Sequence, residues 1–145
     1  MSSQGMAGAG VIVDMVTPMA AGGELDLRGA VRLSRSLRAA GVDGIVLSAE
    51  AGEGEALDAD ERLALWETVA AALGGELPIW GGLWGANGRS ASRLGGAAAA
   101  LGLAGVAVPI GGGARQGGLR LRQALGAADT GAATVLAFVP GGQAV

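Results

Sequence analysis

Between Leu47 and Leu57 the chain reads LSAEAGEGEAL, which brings Glu50, Glu53 and Glu55 together on one short stretch containing two glycines. Three carboxylates this close could ligate a hard cation such as Mg²⁺ or Ca²⁺, with Asp14 as a further oxygen donor. They could also form an acid/base pair of the kind that cleaves glycosidic bonds. Neither chemistry is specified, because nothing in the sequence sets the separation of the carboxylates. A solvated glycine-rich loop has the same composition. No metal site and no cofactor are therefore assigned. A second candidate is GGGARQGG at 111–118, whose backbone N–H groups could cradle a phosphate with help from Arg115. It lacks the lysine of a P-loop, and no complete GxGxxG occurs in the chain, so an ordinary loop is expected.

The residues that are missing restrict the chemistry further. There is no cysteine, no histidine and no tyrosine, and all ten basic residues are arginine. Disulfides, thiolate ligands and cysteine nucleophiles are excluded. So are the commonest general base, the commonest zinc ligand, the phenolic acid and the Schiff-base amine of lysine. Asp, Glu, Arg, Ser, Thr and the backbone remain. The net charge of −3 and the half-apolar composition suit a globular protein, and nucleic acid is not an expected partner. No basic residue precedes Arg28, so a secretory leader is not expected and a cytoplasmic setting is. The uncharged run Gly95 to Ala114 is interrupted by several glycines and Pro109. It parses as helix end, strand and loop, not as a membrane span.

The elements that would position these groups alternate along the 145 residues, read as one domain over 1–145. VIVDMV at 11–16 reads as a strand. Asp26 can cap a helix running to about Ala40, with Leu27, Ala30, Val31, Ser34 and Leu37 on one face and Gly41 as its left-handed stop. Arg28, Arg32, Arg35 and Arg38 lie on the side opposite that face and read as solvated, with a partner's acidic patch or RNA phosphates as the lesser alternative. GIVLS at 44–48 is a second strand. Asp58 and Glu61 form a capping box for a helix that turns Leu65, Trp66, Val69 and Leu73 inward and ends at Gly74-Gly75. LPIWGGL at 77–83 is a third strand, a helix follows from about Ser90 to Leu101, and GVAVP at 105–109 is a fourth strand. A weaker helix is expected at about 118–128 and a fifth strand in TVLAFVP at 134–140. Trp80 is expected in the core. Trp84 could line a pocket, with a core place preferred. The strands are continuously apolar, which means burial on both faces and a parallel sheet covered by helices. Two α/β architectures fit: an open doubly wound sheet, or a partial (β/α)8 TIM barrel of about four βα units plus a fifth strand. Consecutive strand order would identify the barrel, and a reversal in order the open sheet.

The order of several short motifs favours the barrel. GVIVDMVTPM at 10–19, AGVDGIVLSAEAGEGEALDADER at 40–62, GGLWGANGRSAS at 81–92, AAAALGLAGVAVPI at 97–110 and TVLAFVPGG at 134–142 follow one another through nearly the whole chain. In this they resemble the N-terminal half of the dihydrodipicolinate synthase / N-acetylneuraminate lyase family. The second stretch is the specific one, because it resembles the family's A-G-V-D-G-[apolar]-G-T-T-G-E-x-x-x-L-x-x-x-E-R. The resemblance implies a (β/α)8 class I aldolase or lyase acting through pyruvate or a related 2-oxo acid. It also implies a Schiff-base lysine on a sixth strand, two threonines holding the keto acid's carboxylate, a proton-relaying tyrosine on the fifth strand, in some members a second tyrosine in the loop after strand four and, in the synthase branch, a substrate-binding arginine after strand five.

This chain departs from the family at each of those positions. The paired threonines fall on Glu50 and Ala51, the loop tyrosine near Ile110 or Gly111, the strand-five tyrosine on Ala137 and the arginine on Gly142. The sequence stops before a sixth strand and contains no lysine at all. The family-equivalent substrate loop is then Glu50, Ala51, Gly52 and Glu53. Glu50 repels an acidic substrate there, and Glu53, at the family glutamate, is expected to accept backbone N–H bonds from the loop. No catalytic residue is assigned. The expectation is a homologue inactive as this chain. A 2-oxo acid such as pyruvate would be a ligand only if a partner completed the barrel. The open edges of strands one and five should be covered by a second copy or by a partner chain, and the alternative reading is a non-catalytic binding or assembly module.

Overall fold

The computed structural model describes residues 10–109 and 135–138. Five strands form one sheet in the consecutive order β1 (Ile12–Asp14), β2 (Gly44–Leu47), β3 (Ile79–Gly82), β4 (Gly105–Pro109) and β5 (Val135–Phe138), and every neighbouring pair is parallel. Three helices cross between the first four strands: α1 (Leu27–Ala39), α2 (Ala59–Leu73) and α3 (Gly88–Ala100). A consecutive parallel order with a helix at each of the first three crossovers is the arrangement of a partial (β/α)8 barrel. It excludes the doubly wound sheet, which needs a reversal in strand order.

Local chemistry accounts for the helix limits. The Asp26 side chain accepts the Gly29 N–H at 2.9 Å and opens α1, and Gly41 leaves it at φ +88. Asp58 and Glu61 form the expected reciprocal box at the start of α2, at 2.8 and 3.0 Å, and Gly74 ends the helix in the left-handed region. The start of α3 differs from the sequence reading. Asn87 and Ser90 make their own capping box, so the helix begins at Gly88 and Ser90 is its third residue, not its first. The first strand is also shorter than VIVDMV, ending at Asp14. Met15 continues it by one bond, its N–H to the Val46 carbonyl at 3.0 Å. The helix expected at about 118–128 and the GGGARQGG segment with Arg115 lie outside the described residues.

The strands β2, β3 and β4 are buried on both faces, which is why they are continuously apolar, while β1 is half-buried. The sheet's outer face packs Met15, Ile45, Leu47, Ile79, Val106 and Val108 against Leu65, Trp66, Val69 and Leu94 of the helices. Its inner face gathers Val46, Ala49, Trp80, Trp84 and Ala107, with Ile12 and Ala104 beside them. Trp80 lies across Gly44 of the neighbouring strand, where an added Cβ would come within 2.6 Å of the ring. On α1, Ala30 and Ser34 are buried while Leu27, Val31 and Leu37 are half-buried. The exposed large apolar side chains among the described residues, Val11 (61%), Val16 (55%) and Met19 (39%), all flank β1 at the sheet edge. Among the described residues no helix is long and apolar enough to cross a membrane.

Candidate functional site

The carboxyl ends of parallel strands are where a barrel of this type builds its sites. Here the loops after β2 and β3 and the end of β4 enclose a cavity of about 480 Å³ lined by Ala49, Glu50, Glu53, Gly54, Glu55, Ala56, Trp84 and Pro109. All three glutamates of the opening motif therefore face one space, with an indole on its wall. The glutamates are exposed, and Trp84 is only 6% exposed, so it belongs to the core and to the cavity wall at once. Among the described residues no three Asp, Glu, His or Cys side chains converge closely enough to hold a metal ion.

The β2 loop is tightly folded. Ser48 leaves the strand at φ +53 and Glu53 sits at φ +51, both in the left-handed region. Glu53 precedes a short 3-10 turn, Gly54–Ala56. Its carboxylate takes none of that turn's N–H groups; its backbone carbonyl accepts the Ala56 N–H instead, at 2.9 Å. This corrects the sequence expectation: the left-handed backbone turns the side chain outward, to the cavity rim. Gly54 is required by close approach, since a Cβ there would lie 1.9 Å from the Ser48 carbonyl oxygen.

Two contacts fasten this loop to the first strand. The Ala51 N–H donates to Asp14 Oδ2 at 3.0 Å, and the Thr17 hydroxyl donates to the Gly52 carbonyl at 2.6 Å. Asp14 is thus not a fourth carboxylate for a metal but the acceptor for a loop amide. Its other oxygen, Oδ1, is buried without a protein partner. Of the four loop residues singled out in the sequence, Glu50 and Glu53 face the cavity, while Ala51 and Gly52 serve through their backbone groups.

A further anchor escaped the sequence reading. Arg62, on α2, is 3% exposed and forms no ion pair among the described residues. Its guanidinium donates to the carbonyls of Gly82 at 2.8 Å, Gly54 at 2.5 Å and Trp84 at 2.8 Å, with Leu57 more distant at 3.4 Å. One side chain thereby ties the β2 loop to the β3 loop, the two halves of the cavity rim. Burial lowers the Arg62 pKa from the ordinary arginine value, while the carbonyl acceptors favour the charged form. Beside it, the Trp66 indole N–H donates to Ser48 Oγ at 2.9 Å, and that hydroxyl donates to the Gly82 carbonyl at 3.2 Å. The signal for Arg62 was present: it falls on the stripe of α2 that carries Leu65, Trp66, Val69 and Leu73 inward.

Comparison with known proteins agrees with this architecture. The model of the dihydrodipicolinate synthetase family matches residues 7–109. The 4-hydroxy-tetrahydrodipicolinate synthase of Symbiobacterium thermophilum is 36% identical over 96 residues, covering 66% of this chain and 33% of the relative. That of Moorella thermoacetica is 38% identical over 101 residues, covering 69% and 34%. These matches span about a third of the synthases' length. Among solved structures, YagE, an E. coli K12 prophage protein of the dihydrodipicolinic acid synthase family in complex with pyruvate, superposes with TM-score 0.77 at 27% identity, covering 90% of this chain and 44% of that one. The N-acetylneuraminate lyase of Mycoplasma synoviae superposes with TM-score 0.78 over 90% of this chain and 46% of that one; at 19% identity it speaks for the fold alone.

Proposed function

The chain belongs to the dihydrodipicolinate synthetase family, and from that premise we propose that it carries the front part of a pyruvate-lyase barrel whose mouth no longer serves a 2-oxo acid. These 145 residues by themselves form no Schiff base with pyruvate. The observation that carries this reading is the complete lack of lysine, since no ε-amine is present to attack a carbonyl. The mouth supports it. Where the resemblance implies two threonines around a carboxylate, Glu50 contributes negative charge, and the Ala51 N–H is already taken by Asp14. A carboxylate arriving there meets three glutamates and finds that loop amide occupied.

Borohydride trapping tests the reading. The purified chain is incubated with labelled pyruvate, reduced, digested and mapped by mass spectrometry. The expected result is no adduct beyond the N-terminal amine; a trapped internal residue overturns the proposal.

A second reading has its own observation. Val11, Val16 and Met19 crowd the edge beside β1, and an edge strand with apolar neighbours recruits another chain. In this reading the chain is an assembly module that dimerises or pairs with a separate polypeptide supplying the remaining strands. Light scattering of the isolated chain, and its co-expression with the C-terminal half of a relative, separate the cases. A monomer at all concentrations that gains no partner rules this second reading out.

A further inference from the structure

The outer surface of α1 carries a charge pattern that neither the cavity nor the sheet uses. Four of the chain's ten arginines, Arg28, Arg32, Arg35 and Arg38, stand on this thirteen-residue helix, which contains no acid. Arg38 is engaged by Glu76. Arg32 reaches only the capping Asp26, at 3.9 Å, with its own side chain 73% exposed. Among the described residues Arg28 and Arg35 form no ion pair. Helical geometry sets residues 28, 32 and 35 within an arc of about 60° and spreads them over about 10 Å of the axis. Those three guanidiniums, with Leu27, Val31 and Thr68 of α2, line a groove of about 320 Å³ between the two helices.

We propose that this groove docks an acidic amphipathic helix of a partner protein, with carboxylates at i, i+4 and i+7 facing Arg28, Arg32 and Arg35 and an apolar side chain against Leu27 and Val31. Charge complementarity commits the groove to that occupant. Two arginines outside any ion pair among the described residues and a third held only loosely by Asp26, all at helical spacing, match carboxylates that repeat with the same rise, and the apolar floor suits the flanking stripe of such a helix. A long polyanion such as RNA is disfavoured, because the chain as a whole is acidic and would repel what the groove leaves uncovered.

The test uses the intact chain and a fluorescein-labelled helical peptide bearing Glu at i, i+4 and i+7 with Leu on the flanking positions. Anisotropy is measured at low and high salt, beside a scrambled peptide of equal charge and a single-stranded RNA of matched charge. The patterned peptide is expected to bind in a salt-sensitive way. The triple variant Arg28→Glu/Arg32→Glu/Arg35→Glu is expected to weaken it about tenfold or more, three exposed pairs being removed and reversed. Arg89→Glu on α3 is expected to bind as the parent does. Circular dichroism checks that the triple variant remains folded; if it does not, single Arg→Gln variants, each expected to weaken binding about twofold, carry the same comparison. Equal affinity for the scrambled peptide, indifference to the arginine changes, or tighter binding of the RNA through the same arginines overturns the proposal.

Discussion

Replacing Arg62 by methionine keeps most of the side chain's length and apolar stem but removes the guanidinium. Three short bonds disappear with it, to Gly82, Gly54 and Trp84. A hydrogen bond from a charged donor is worth about 1.5–3 kcal/mol, so the gross loss is on the order of 5–9 kcal/mol. The variant no longer buries a cation, which returns several kcal/mol. The net expectation is a loss of about 3 kcal/mol, a large share of the roughly 5–15 kcal/mol that holds an ordinary domain together. Urea titration followed by tryptophan fluorescence measures it directly, because Trp66 and Trp84 border the lost contacts. The midpoint should fall with the slope unchanged. Arg62→Lys should recover little, since one ammonium cannot span carbonyls from two loops in the planar fork that arginine presents. If Arg62→Met lies within about 0.5 kcal/mol of the parent, the clamp between the two rim loops is not what holds them, and that account of the cavity fails.

The same group has a pH signature. Its pKa is lowered by burial, so the unfolded chain binds more protons than the folded one only in the alkaline window between the lowered value and the ordinary arginine value. In that window Arg62's own contribution makes stability rise with pH, and below it the contribution is constant; the difference between parent and Arg62→Met should be flat from about pH 6 to 9 in urea titrations. Gly54→Ala would set a methyl 1.9 Å from the Ser48 carbonyl oxygen, and a loss of about 2–3 kcal/mol is expected in the same assay. Ser48→Ala leaves the buried Trp66 N–H without its acceptor, which should lower stability by about 2 kcal/mol and shift the emission of the tryptophans. Asn87→Ala removes the cap of α3 and should cost about 1 kcal/mol, read as a lower thermal midpoint by circular dichroism.

Much of the architecture was legible because it rests on periodicity and on residues acting over three or four positions. The continuous apolar runs announced strands buried on both faces, and Asp26, Asp58, Gly41 and Gly74 marked helix ends that the structure shows where the spacing placed them. The missed cap at Asn87 was equally local: the pair Asn87 and Ser90 has capping-box spacing but lacks the usual Glu or Gln at the third position.

What the sequence alone determined is the inventory: no lysine, histidine, tyrosine or cysteine among these 145 residues, and therefore which side-chain chemistries they do not hold. It also determined the alternation of strand and helix, since both periods are written within a few neighbouring residues. Only the tertiary structure decided that Asp14 holds a loop amide thirty-seven positions away, that the Glu53 carboxylate serves no N–H in its turn, and that a buried arginine joins the loops after two different strands. Those outcomes depend on which groups come within about 3 Å of one another once the strands have paired and the loops have packed over their ends, and no local pattern encodes a distance between segments that meet only in the folded chain.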